Sequence, residues 1–359
     1  MSDTSTPAEG GPLLVAFHSR HKDPSLMNPN RGGVAYAVQA LALMGVPSVF
    51  ITDTYLLDGN APTVQSYAVT LNSDTMQLTV DACSKDTPLG VGGIGAIRTR
   101  SQTPAGLEAI VPVLNGLTVR AMDTSKFGQA IRFKDIVPNT VLIPAGSVVN
   151  DGDLDSLMGD MVVLKPDHGG GGHHVKVGVL KSEANAALAE LRAGLDSGKA
   201  ATQDFVAQEQ AKGEPIFGLR TQDPTQQVLV DSPDFNANYE LRLLCFASYD
   251  RLGNFKLRPY GLYRVNAGLE EGIFVALEQD SLPKSAINLA TRVARAILTE
   301  ANVPAAQIAV DVFRRQGHKN LWMREYNASD PVIVRPASKS PEVQRARASL
   351  LADQLFSVL

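Results

Sequence analysis

Apolar runs and helical patterns alternate along the first third of the chain. Leu13–Phe17 is a short apolar run that predicts a buried strand. Apolar positions at helical spacing predict a helix over Gly33–Met44, and Pro47–Ile51 predicts the next strand. A strand, a helix and a second strand in this order are typical of a βαβ unit. We therefore expect an open α/β sheet in the N-terminal third.

Alternating patterns dominate the rest of the chain. Val64–Val80 alternates around the polar residues Asn72–Asp74, which predicts a β-hairpin. Beyond Thr124, strands are predicted over 138–144, Met161–Pro166, Val175–Leu180, Phe205–Gln208, Tyr239–Phe246, Lys256–Val265, Ile308–Phe313 and Leu321–Asn327. Helices are predicted up to Arg132, over Leu154–Met158, from an N-cap at Ser182 to Leu195, and over Ser285–Ala301.

Composition excludes several classes of protein. The 359 residues predict two or three domains at roughly 150 residues each. A net charge of −4 argues against a basic surface that binds nucleic acid. Cys83 and Cys245 lack the spacing of a zinc site or a disulfide scaffold. No apolar run approaches the roughly 18 residues of a membrane span, and the polar N-terminus does not resemble a signal peptide. We expect a cytoplasmic protein with no membrane or nucleic-acid partner.

Two glycine clusters have different contexts. Gly90, Gly92 and Gly95 match the GxGxxG string of dinucleotide-binding proteins, but strand-like residues follow where that site needs a helix. A turn beside a strand is the preferred interpretation. The run Gly169–Gly172 follows Lys165, which ends an apolar strand, and a second strand comes next. Glycine backbone N–H groups and a lysine together predict a phosphate-binding lid, and the alternative is a mobile surface hairpin.

Three histidines, His168, His173 and His174, flank this glycine run. A metal site is one interpretation. Residues in a glycine-rich loop are poorly held, however, and no carboxylate spacing accompanies them. Histidines that face solvent or phosphate are therefore preferred.

Carboxylates and cations mark the strands nearer the C-terminus. Asp311 lies within an apolar strand, and Glu325 and Asn327 share a face of the next one because strand side chains alternate. These oxygen ligands suit Mg²⁺, and solvated strand ends are the alternative. Cations on the preceding strands could bind phosphoryl oxygens or stabilise charge on a reacting carbonyl, namely Arg242, Lys256, Arg258 and Arg264.

Read together, these segments resemble the ATP-grasp superfamily of carboxylate–amine ligases, in its glutathione-synthetase-like or D-Ala–D-Ala-ligase-like branch. The match runs from Asp123 to about Pro331 and depends on the order of the motifs. The resemblance implies an α/β fold with an N-terminal open α/β pre-ATP-grasp domain and a two-subdomain ATP-grasp. The implied domains are residues 1–120, a lid subdomain over 121–204, and a C-terminal subdomain with the metal site over 205–359.

The resemblance also implies site residues. Nucleotide binding is assigned to Lys126, to Lys165 with Gly169, Gly170, Gly171 and Gly172, and to Gln208 and Glu209 in the hinge segment Val206–Gln210. The ribose contact stays open between Gln208, Glu209 and Gln210. Arg242 resembles the phosphate-binding arginine, and Arg264 or Arg258 would hold the acyl phosphate. Asp311, Glu325 and Asn327 resemble the magnesium set, which could also hold Mn²⁺. Arg324 and Tyr326 depart from the more apolar family pattern.

The implied reaction uses ATP to convert a substrate carboxylate into an acyl phosphate, which an amine then attacks. The expected substrates are small molecules such as amino acids or peptides, and relatives leave a homodimer open. Alternatives are an enzyme that crosslinks a peptide precursor, a phosphotransferase, and a nucleotide-binding regulator. The loop His18–Gly33 offers polar groups for a substrate carboxylate, or it is a solvated loop. The segment Gly213–Asn238 has no assignment.

Overall fold

The computed structural model describes residues 14–18, 38–39, 42, 48–56, 63–89, 94–98, 113–114, 117–123, 125–150, 152–168, 174–195, 202–250, 252–265, 273–303 and 305–328. The chain divides into two compact units, with the boundary between Leu117 and Thr118. The predicted domain boundaries at residues 120 and 204 stay a prediction.

The first unit contains a sheet of seven described strands. They are β1 (Leu14–His18), β2 (Ser48–Leu56), β3 (Thr63–Asn72), β4 (Gln77–Val80), β5 (Lys85–Pro88), β6 (Ile94–Arg98) and β7 (Val113–Leu114). The strand order is β4-β3-β2-β1-β6-β7, and β5 also pairs with β3. β1 runs parallel to β2 and β6, and β7 runs parallel to β6. Between β1 and β2, the structure describes residues 38, 39 and 42 of the predicted helix. All three are helical, which confirms the α/β character of this unit.

Local chemistry explains two features of this sheet. The predicted hairpin forms from β3 and β4, and the Asn72 side chain accepts hydrogen bonds from the backbone N–H groups of Asp74 and Thr75, both at 3.0 Å. Such a side-chain bond stabilises a turn. The GxGxxG string ends in a strand, because Gly95 lies within β6. A dinucleotide-binding site would place a helix there, so the strand predicted after the string is confirmed, and residues 90–93 lie outside the described residues.

The elements from Leu117 onward are mostly strands. The helices are α1 (Leu117–Asp123), α2 (Lys126–Arg132), α3 (Ala184–Ala193), α4 (Val228–Asp231) and α5 (Lys284–Ala301). The strands are β8 (Thr140–Ile143), β9 (Met161–Pro166), β10 (Lys176–Leu180), β11 (Phe205–Glu209), β12 (Gly213–Glu214), β13 (Tyr239–Tyr249), β14 (Phe255–Val265), β15 (Ile273–Ala276), β16 (Ala305–Arg315) and β17 (Leu321–Asn327). Short 3₁₀ turns cover Lys181–Glu183, Pro224–Gln226 and Gln279–Ser281.

A four-stranded antiparallel sheet, with strand order β10-β9-β11-β8, forms one half of the second unit. Residues Val162 and Leu164 of β9 pack with Phe205 of β11 and with the apolar side of α3. Because strand side chains alternate, Val163 and Lys165 lie on the opposite face. The burial of one face against α3 therefore decides that Lys165 faces away from this core.

A six-stranded antiparallel sheet forms the other half. Its order is β12-β16-β13-β14-β15, and β17 also pairs with β16. One face of this sheet packs against the buried side of α5. The sheet contributes Leu241 and Leu243 from β13 and Val310 and Val312 from β16 to this core. The helix ends at Asn302, whose φ of 51° is left-handed, a conformation that asparagine tolerates well. The alternate residues of β13 and β16 lie on the opposite face of this sheet.

Two predicted helix features are wrong. Residues Leu154–Met158 form turns, because glycines with positive φ bound the segment, at 89° for Gly152 and 75° for Gly159. Ser182 does not cap α3, because a 3₁₀ turn comes first; Glu183 occupies the N-cap position without a side-chain hydrogen bond. The other strands predicted beyond Thr124, and the helix over Ser285–Ala301, are confirmed within a few residues at their ends.

The segment 213–238, which had no assignment, contains β12, a 3₁₀ turn and α4. Both cysteines are free thiols, Cys83 being exposed and Cys245 buried. No helix in the described part of the chain is long and apolar enough to cross a membrane.

Candidate active site

Three charged residues form a row across the six-stranded sheet. Arg242 on β13 is directly opposite Asp311 on β16, and Asp311 is directly opposite Glu325 on β17. Directly opposed residues project their side chains on the same face, with Cβ atoms about 5 Å apart. Asn327, two residues beyond Glu325, is opposite Ala309. The sheet register therefore brings Arg242, Asp311 and Glu325 together on the face that is not covered by α5.

Arg242 and Asp311 make a two-point ion pair. The distances are 2.6 Å from Nε to Oδ1 and 2.5 Å from Nη2 to Oδ2. Burial alone would lower the pKa of Arg242, but the attraction of Asp311 and neighbouring carboxylates raises it above the ordinary value. The guanidinium group therefore stays charged beside the carboxylates.

A β-bulge places an additional cation on the same face. The register between β16 and β17 shifts after Asp311, so that Arg324 is the extra residue. A bulge lets two successive residues oppose one on the partner strand. The Arg324 guanidinium carbon lies 4.7 Å from the centre of the Phe313 ring. Phe313 shares the face of Asp311, so Arg324 is directed to the same side of the sheet as Asp311.

Glu240 lies among these arginines. Its side chain is 2% exposed; Oε2 is 2.9 Å from Nε of Arg324, and Oε1 is 3.6 Å from Nη1 of Arg264. Burial raises the pKa of Glu240 to about 7, with a further contribution from Asp311, while the three arginines Arg324, Arg242 and Arg264 lower it in part. Glu240 therefore changes its charge near neutral pH.

Lys165 faces this group from β9. Its residue is 7% exposed, and Nζ donates a 3.0 Å hydrogen bond to Oε1 of Gln208. Burial lowers the pKa of Lys165 to about 8, although the attraction of Glu325 opposes the change. Gln208 in turn donates from Nε2 to Oγ1 of Thr140 at 3.0 Å. The amide of Gln208 is thus fixed by neighbours on both adjacent strands.

The start of α2 places Lys126 in the same group. Asp167 follows the end of β9, and its Oδ1 accepts a 2.8 Å hydrogen bond from the backbone N–H of Phe127. Nζ of Lys126 donates to the backbone oxygen of Asp167 at 3.3 Å. Burial would raise the pKa of Glu325, but Lys165, Lys126 and nearby arginines outweigh it, and the pKa lies below the ordinary value. Glu325 is therefore ionised at neutral pH.

Gln129 joins α2 to the strand that carries Glu325. Its Nε2 donates to the backbone oxygen of Tyr326 at 3.0 Å, and its Oε1 accepts from the backbone N–H of Tyr326 at 3.0 Å. The Tyr326 hydroxyl group donates to the backbone oxygen of Met122 at 2.7 Å and accepts from Arg132 at 2.8 Å. These bonds hold the helix of Lys126 beside Glu325.

The carboxylates fit Mg²⁺ by their chemistry. Asp311 and Glu325 are opposed carboxylates, and Asn327 adds an amide oxygen on the same strand face; Mg²⁺ prefers oxygen ligands and keeps several waters. A carboxylate oxygen that accepts from Arg242 keeps a second lone pair for a metal ion. Among the described residues, no group of three or more His, Cys, Asp or Glu side chains is placed to hold a metal ion. Asp311 and Glu325 are only two such side chains, because the third candidate ligand, Asn327, is an amide.

Comparison with known proteins places this arrangement in a known fold. No protein-family profile and no curated protein matches the chain. D-alanyl-alanine synthetase A from Vibrio cholerae O1 biovar eltor matches with a TM-score of 0.52 and 12% identity, over 96% of this chain and 98% of that one. The D-alanine-D-alanine ligase from Coxiella burnetii matches with a TM-score of 0.52 and 11% identity, over 97% and 94%. The chain has the ATP-grasp fold. The ATP complex of a D-alanine–D-alanine ligase from Bacillus anthracis also matches, with a TM-score of 0.50 and 15% identity, over 97% of each chain.

Within the ATP-grasp fold, several predicted site residues lie together. These are Lys126, Lys165, Arg242, Arg264, Asp311 and Glu325, linked by the contacts and charge interactions above. Gln208 contacts Lys165. Gly169, Gly170, Gly171, Gly172 and His173 lie outside the described residues, as do most of the loop 18–33 and residues 329–331.

Two predicted residues are placed apart from the others. Arg258 is exposed and opposite Phe246, six residues along β14 from Arg264, which is about 20 Å at the rise of a strand. The register of the ATP-grasp sheet therefore keeps Arg258 away from the row of Arg242. Glu209 is buried and forms an ion pair with Arg315 through Oε1, whereas its Oε2 has no hydrogen-bond partner among the described residues.

Sequence reasoning missed three side chains of this group. Gln129 is a polar residue on a short helix, and nothing local indicates its bond to Tyr326. Glu240 and Arg324 neighbour predicted residues in the chain. For Glu240, its position two residues before Arg242 on a strand could have indicated the shared face. For Arg324, alternation predicts the opposite face from Glu325, and only the bulge reverses that.

Proposed function

We propose that this protein is an ATP-dependent ligase that converts a substrate carboxylate into an acyl phosphate and joins it to an amine. One observation carries the proposal: Lys126, Lys165 and Arg242 surround the opposed carboxylates Asp311 and Glu325 in a chain with the ATP-grasp fold. Arg264 lies beside Glu240, two residues along β13 from Arg242. Phosphoryl transfer depends mainly on positioning and charge stabilisation, and this group of side chains supplies both.

The cations have separate parts in the proposal. Lys165 and Lys126 would neutralise phosphate oxygens from the side of β9 and α2, and Arg242 would do so from β13. Arg264 would stabilise the acyl phosphate and the oxygen that becomes negative during attack by the amine. Arg258 is not included, because it lies about 20 Å along the strand from Arg264.

The oxygen ligands have their own part. Asp311, Glu325 and Asn327 would hold Mg²⁺, with Mn²⁺ as an alternative ion. The ion would supply positive charge to the phosphates. The two-point bond with Arg242 orients Asp311, and the Gln129–Tyr326 hydrogen bonds hold the β17 backbone between Glu325 and Asn327. These neighbours would keep the ligand oxygens in place before ATP binds.

The nucleotide would extend toward β11. Gln208 is occupied by Lys165 and Thr140, whereas Oε2 of Glu209 has no hydrogen-bond partner among the described residues. That oxygen is buried, so the proposal leaves the ribose contact open between Gln208, Glu209 and Gln210. It retains Gly169–Gly172 as the lid, and residues 1–120, 121–204 and 205–359 as the domains.

The proposed reaction balances in two steps. A carboxylate oxygen of the substrate attacks the γ-phosphorus of ATP, the bond to the β-phosphate oxygen breaks, and ADP leaves. The amine then attacks the acyl carbon, a C–N bond forms, and the C–O bond to phosphate breaks. The proton lost by the amine goes to the departing phosphate. The residues described above position the groups and offset charge, and none of them forms a covalent bond.

The decisive experiment measures ADP and phosphate release against panels of carboxylic acids, amino acids and dipeptides, with mass spectrometry of the products. Ligation requires that release depends on two co-substrates and that the product mass equals their sum minus water. ADP release without phosphate release, with a single co-substrate and a stable phosphorylated product, would identify a phosphotransferase. ATP binding without release would favour a regulatory protein.

A further inference from the structure

One short helix connects a proposed phosphate-binding lysine with the strand of the proposed metal ligands. Lys126 is the first residue of α2, and Gln129 follows three residues later. Gln129 is 4% exposed, and its amide donates to the backbone oxygen of Tyr326 and accepts from the backbone N–H of that residue, both at 3.0 Å. Tyr326 lies between Glu325 and Asn327 on β17. Less than one helical turn therefore separates Lys126 from the contact with β17.

Gln129 acts at the outer edge of β17. Among the described strands, β17 pairs with β16 only, so no described strand lies along its other edge. Buried N–H and C=O groups need partners, and within a sheet the neighbouring strand supplies them. The amide of Gln129 supplies one donor and one acceptor to a single residue, as a strand would. This contact therefore fixes the backbone of Tyr326 against α2.

The side chain of Tyr326 makes a second connection. Its ring packs edge-on against Phe133, with 5.8 Å between the ring centres. Its hydroxyl group donates to the backbone oxygen of Met122 at 2.7 Å and accepts from Arg132 at 2.8 Å. Met122 belongs to α1, and Arg132 is the last residue of α2. Together with Gln129, these contacts attach both helices to a single residue of β17.

Tyr326 and the proposed metal ligands point to opposite sides of β17, because strand side chains alternate. The Tyr326 ring belongs to the core that α5 covers, and Glu325 on the other face is opposite Asp311. A shift of Tyr326 would therefore move Glu325 and Asn327 together. Lys126 acts electrostatically on Glu325 from α2. The spacing between this lysine and the metal ligands thus depends on the contacts of Tyr326.

We propose that Gln129 and Tyr326 are positioning residues that couple Mg²⁺ binding to nucleotide binding. This inference rests on the proposed function, in which one nucleotide contacts Lys126 through a phosphate and Glu325 through the metal ion. Both contacts form at once only if α2 and β17 are held at a fixed spacing. Gln129 and Tyr326 touch neither ligand in this arrangement, and each acts through the segment that carries one.

The test is the affinity for ADP by titration calorimetry, measured once with EDTA and once with excess Mg²⁺. The ratio of the two dissociation constants measures the coupling, and the affinity of Mg²⁺ for free ADP cancels when variants are compared. We expect Mg²⁺ to tighten wild-type binding at least about tenfold. Gln129→Met should remove most of this gain, and Tyr326→Phe should reduce it by about threefold or more, because one loses both backbone contacts and the other loses the hydroxyl contacts.

A merely structural role gives a different result, because lower stability does not change the affinity ratio of the folded protein. Tyr263→Phe is the matched control. Tyr263 is 1% exposed in the core that α5 covers, and its hydroxyl group accepts a 2.9 Å hydrogen bond from the backbone N–H of Ile216. We expect this variant to lower the melting temperature and to leave the Mg²⁺ effect within about twofold of wild type. An equal loss of the Mg²⁺ effect in Tyr263→Phe and Tyr326→Phe overturns the inference.

The two proposals fail in distinguishable ways. If wild-type protein does not bind ADP, or if Mg²⁺ does not tighten the binding, the proposed function fails and the inference with it. If wild-type protein shows the gain and both Gln129→Met and Tyr326→Phe retain it, only the inference is overturned. If Gln129→Met does not fold, Gln129→Asn replaces it, because the shorter amide cannot make both contacts with Tyr326. Thermal melting is the check on folding.

Discussion

Arg242 and Asp311 are directly opposite each other on β13 and β16 and form a two-point ion pair, with distances of 2.6 and 2.5 Å. Their side chains are 14% and 4% exposed. Removal of one partner leaves a buried charge, which costs about 3 to 5 kcal/mol. Asp311→Asn should therefore lower the free energy of unfolding by about 3 kcal/mol, measured by urea denaturation.

The chain contains a matched control for this pair. Arg292 and Asp135 also make two hydrogen bonds, at 2.6 and 2.7 Å, but both side chains are about half exposed. Exposed pairs contribute roughly 0 to 1 kcal/mol, so Asp135→Asn should change stability by less than about 1 kcal/mol. If Asp311→Asn and Asp135→Asn lower the free energy of unfolding by the same amount, burial does not make the Arg242–Asp311 pair more important for stability.

Glu325 is expected to be necessary for turnover but not for folding. Its carboxylate is opposite Asp311 and is kept ionised by Lys165 and Lys126. Glu325→Gln removes the charge with little change in shape, and we expect ATP turnover to fall by about 100-fold or more. ADP release at a series of Mg²⁺ concentrations measures this, and Glu183→Gln, at an exposed position outside the site, is the control. Near-normal turnover in Glu325→Gln would contradict the metal assignment.

Lys165 is expected to reduce stability in the absence of nucleotide. Its pKa of about 8 lies below the ordinary 10.5, mainly because of burial. That difference corresponds to roughly 3 kcal/mol against the charged form at pH 7. Lys165→Met should therefore raise the melting temperature by several degrees and also prevent ATP turnover. Lys284→Met, at an exposed helix position, should change neither quantity.

The same pKa predicts how this stabilisation depends on pH. The unfolded chain binds more protons than the folded protein between about pH 8 and 10.5, so wild-type stability rises with pH in that window. Below pH 8 the advantage of Lys165→Met is constant, and it should decrease through the window. Melting curves at pH 7, 9 and 10 measure the difference. A constant advantage at all three values would show that Lys165 is not neutralised there.

Glu240 should make stability depend on pH in the opposite direction. Its folded pKa of about 7 lies above the ordinary 4.5, because of burial and Asp311. The contribution to stability is complete below about pH 4.5 and is lost as the pH rises through 7, with a total of roughly 3 kcal/mol. Glu240→Gln should match wild type at low pH and be more stable at pH 8. Exposed Glu183→Gln should follow the wild-type curve, and a Glu240→Gln curve parallel to wild type would contradict the prediction.

The strands of the site could be read from local patterns. Met161–Pro166 and Leu321–Asn327 have the predicted bounds, because the residue types that favour a strand are a property of neighbouring residues. The helix α5 is similarly evident, since its apolar residues recur at helical spacing. Local patterns failed at Leu154–Met158, where glycine conformations at both ends decide the turn.

Distances between strands could not be read in this way. Arg242 and Asp311 are 69 residues apart in the chain, and Gln129 and Tyr326 are 197 apart. Spacing along the chain contains no information on which residues become opposed when strands pair. Arg258 shows this clearly, since it has the same residue type as Arg264 and lies on the same strand, yet is placed away from Glu240.

The sequence by itself determined the strand that carries Lys165, the strands of Asp311 and Glu325, and the order of motifs that resembles the ATP-grasp superfamily. These depend on side-chain periodicity and residue type, which are local properties. Only the tertiary structure decided that Glu240 is buried among arginines, that a bulge turns Arg324 toward the site, and that Gln129 holds β17. The physical reason is that register, bulges and burial depend on contacts between segments distant in the chain.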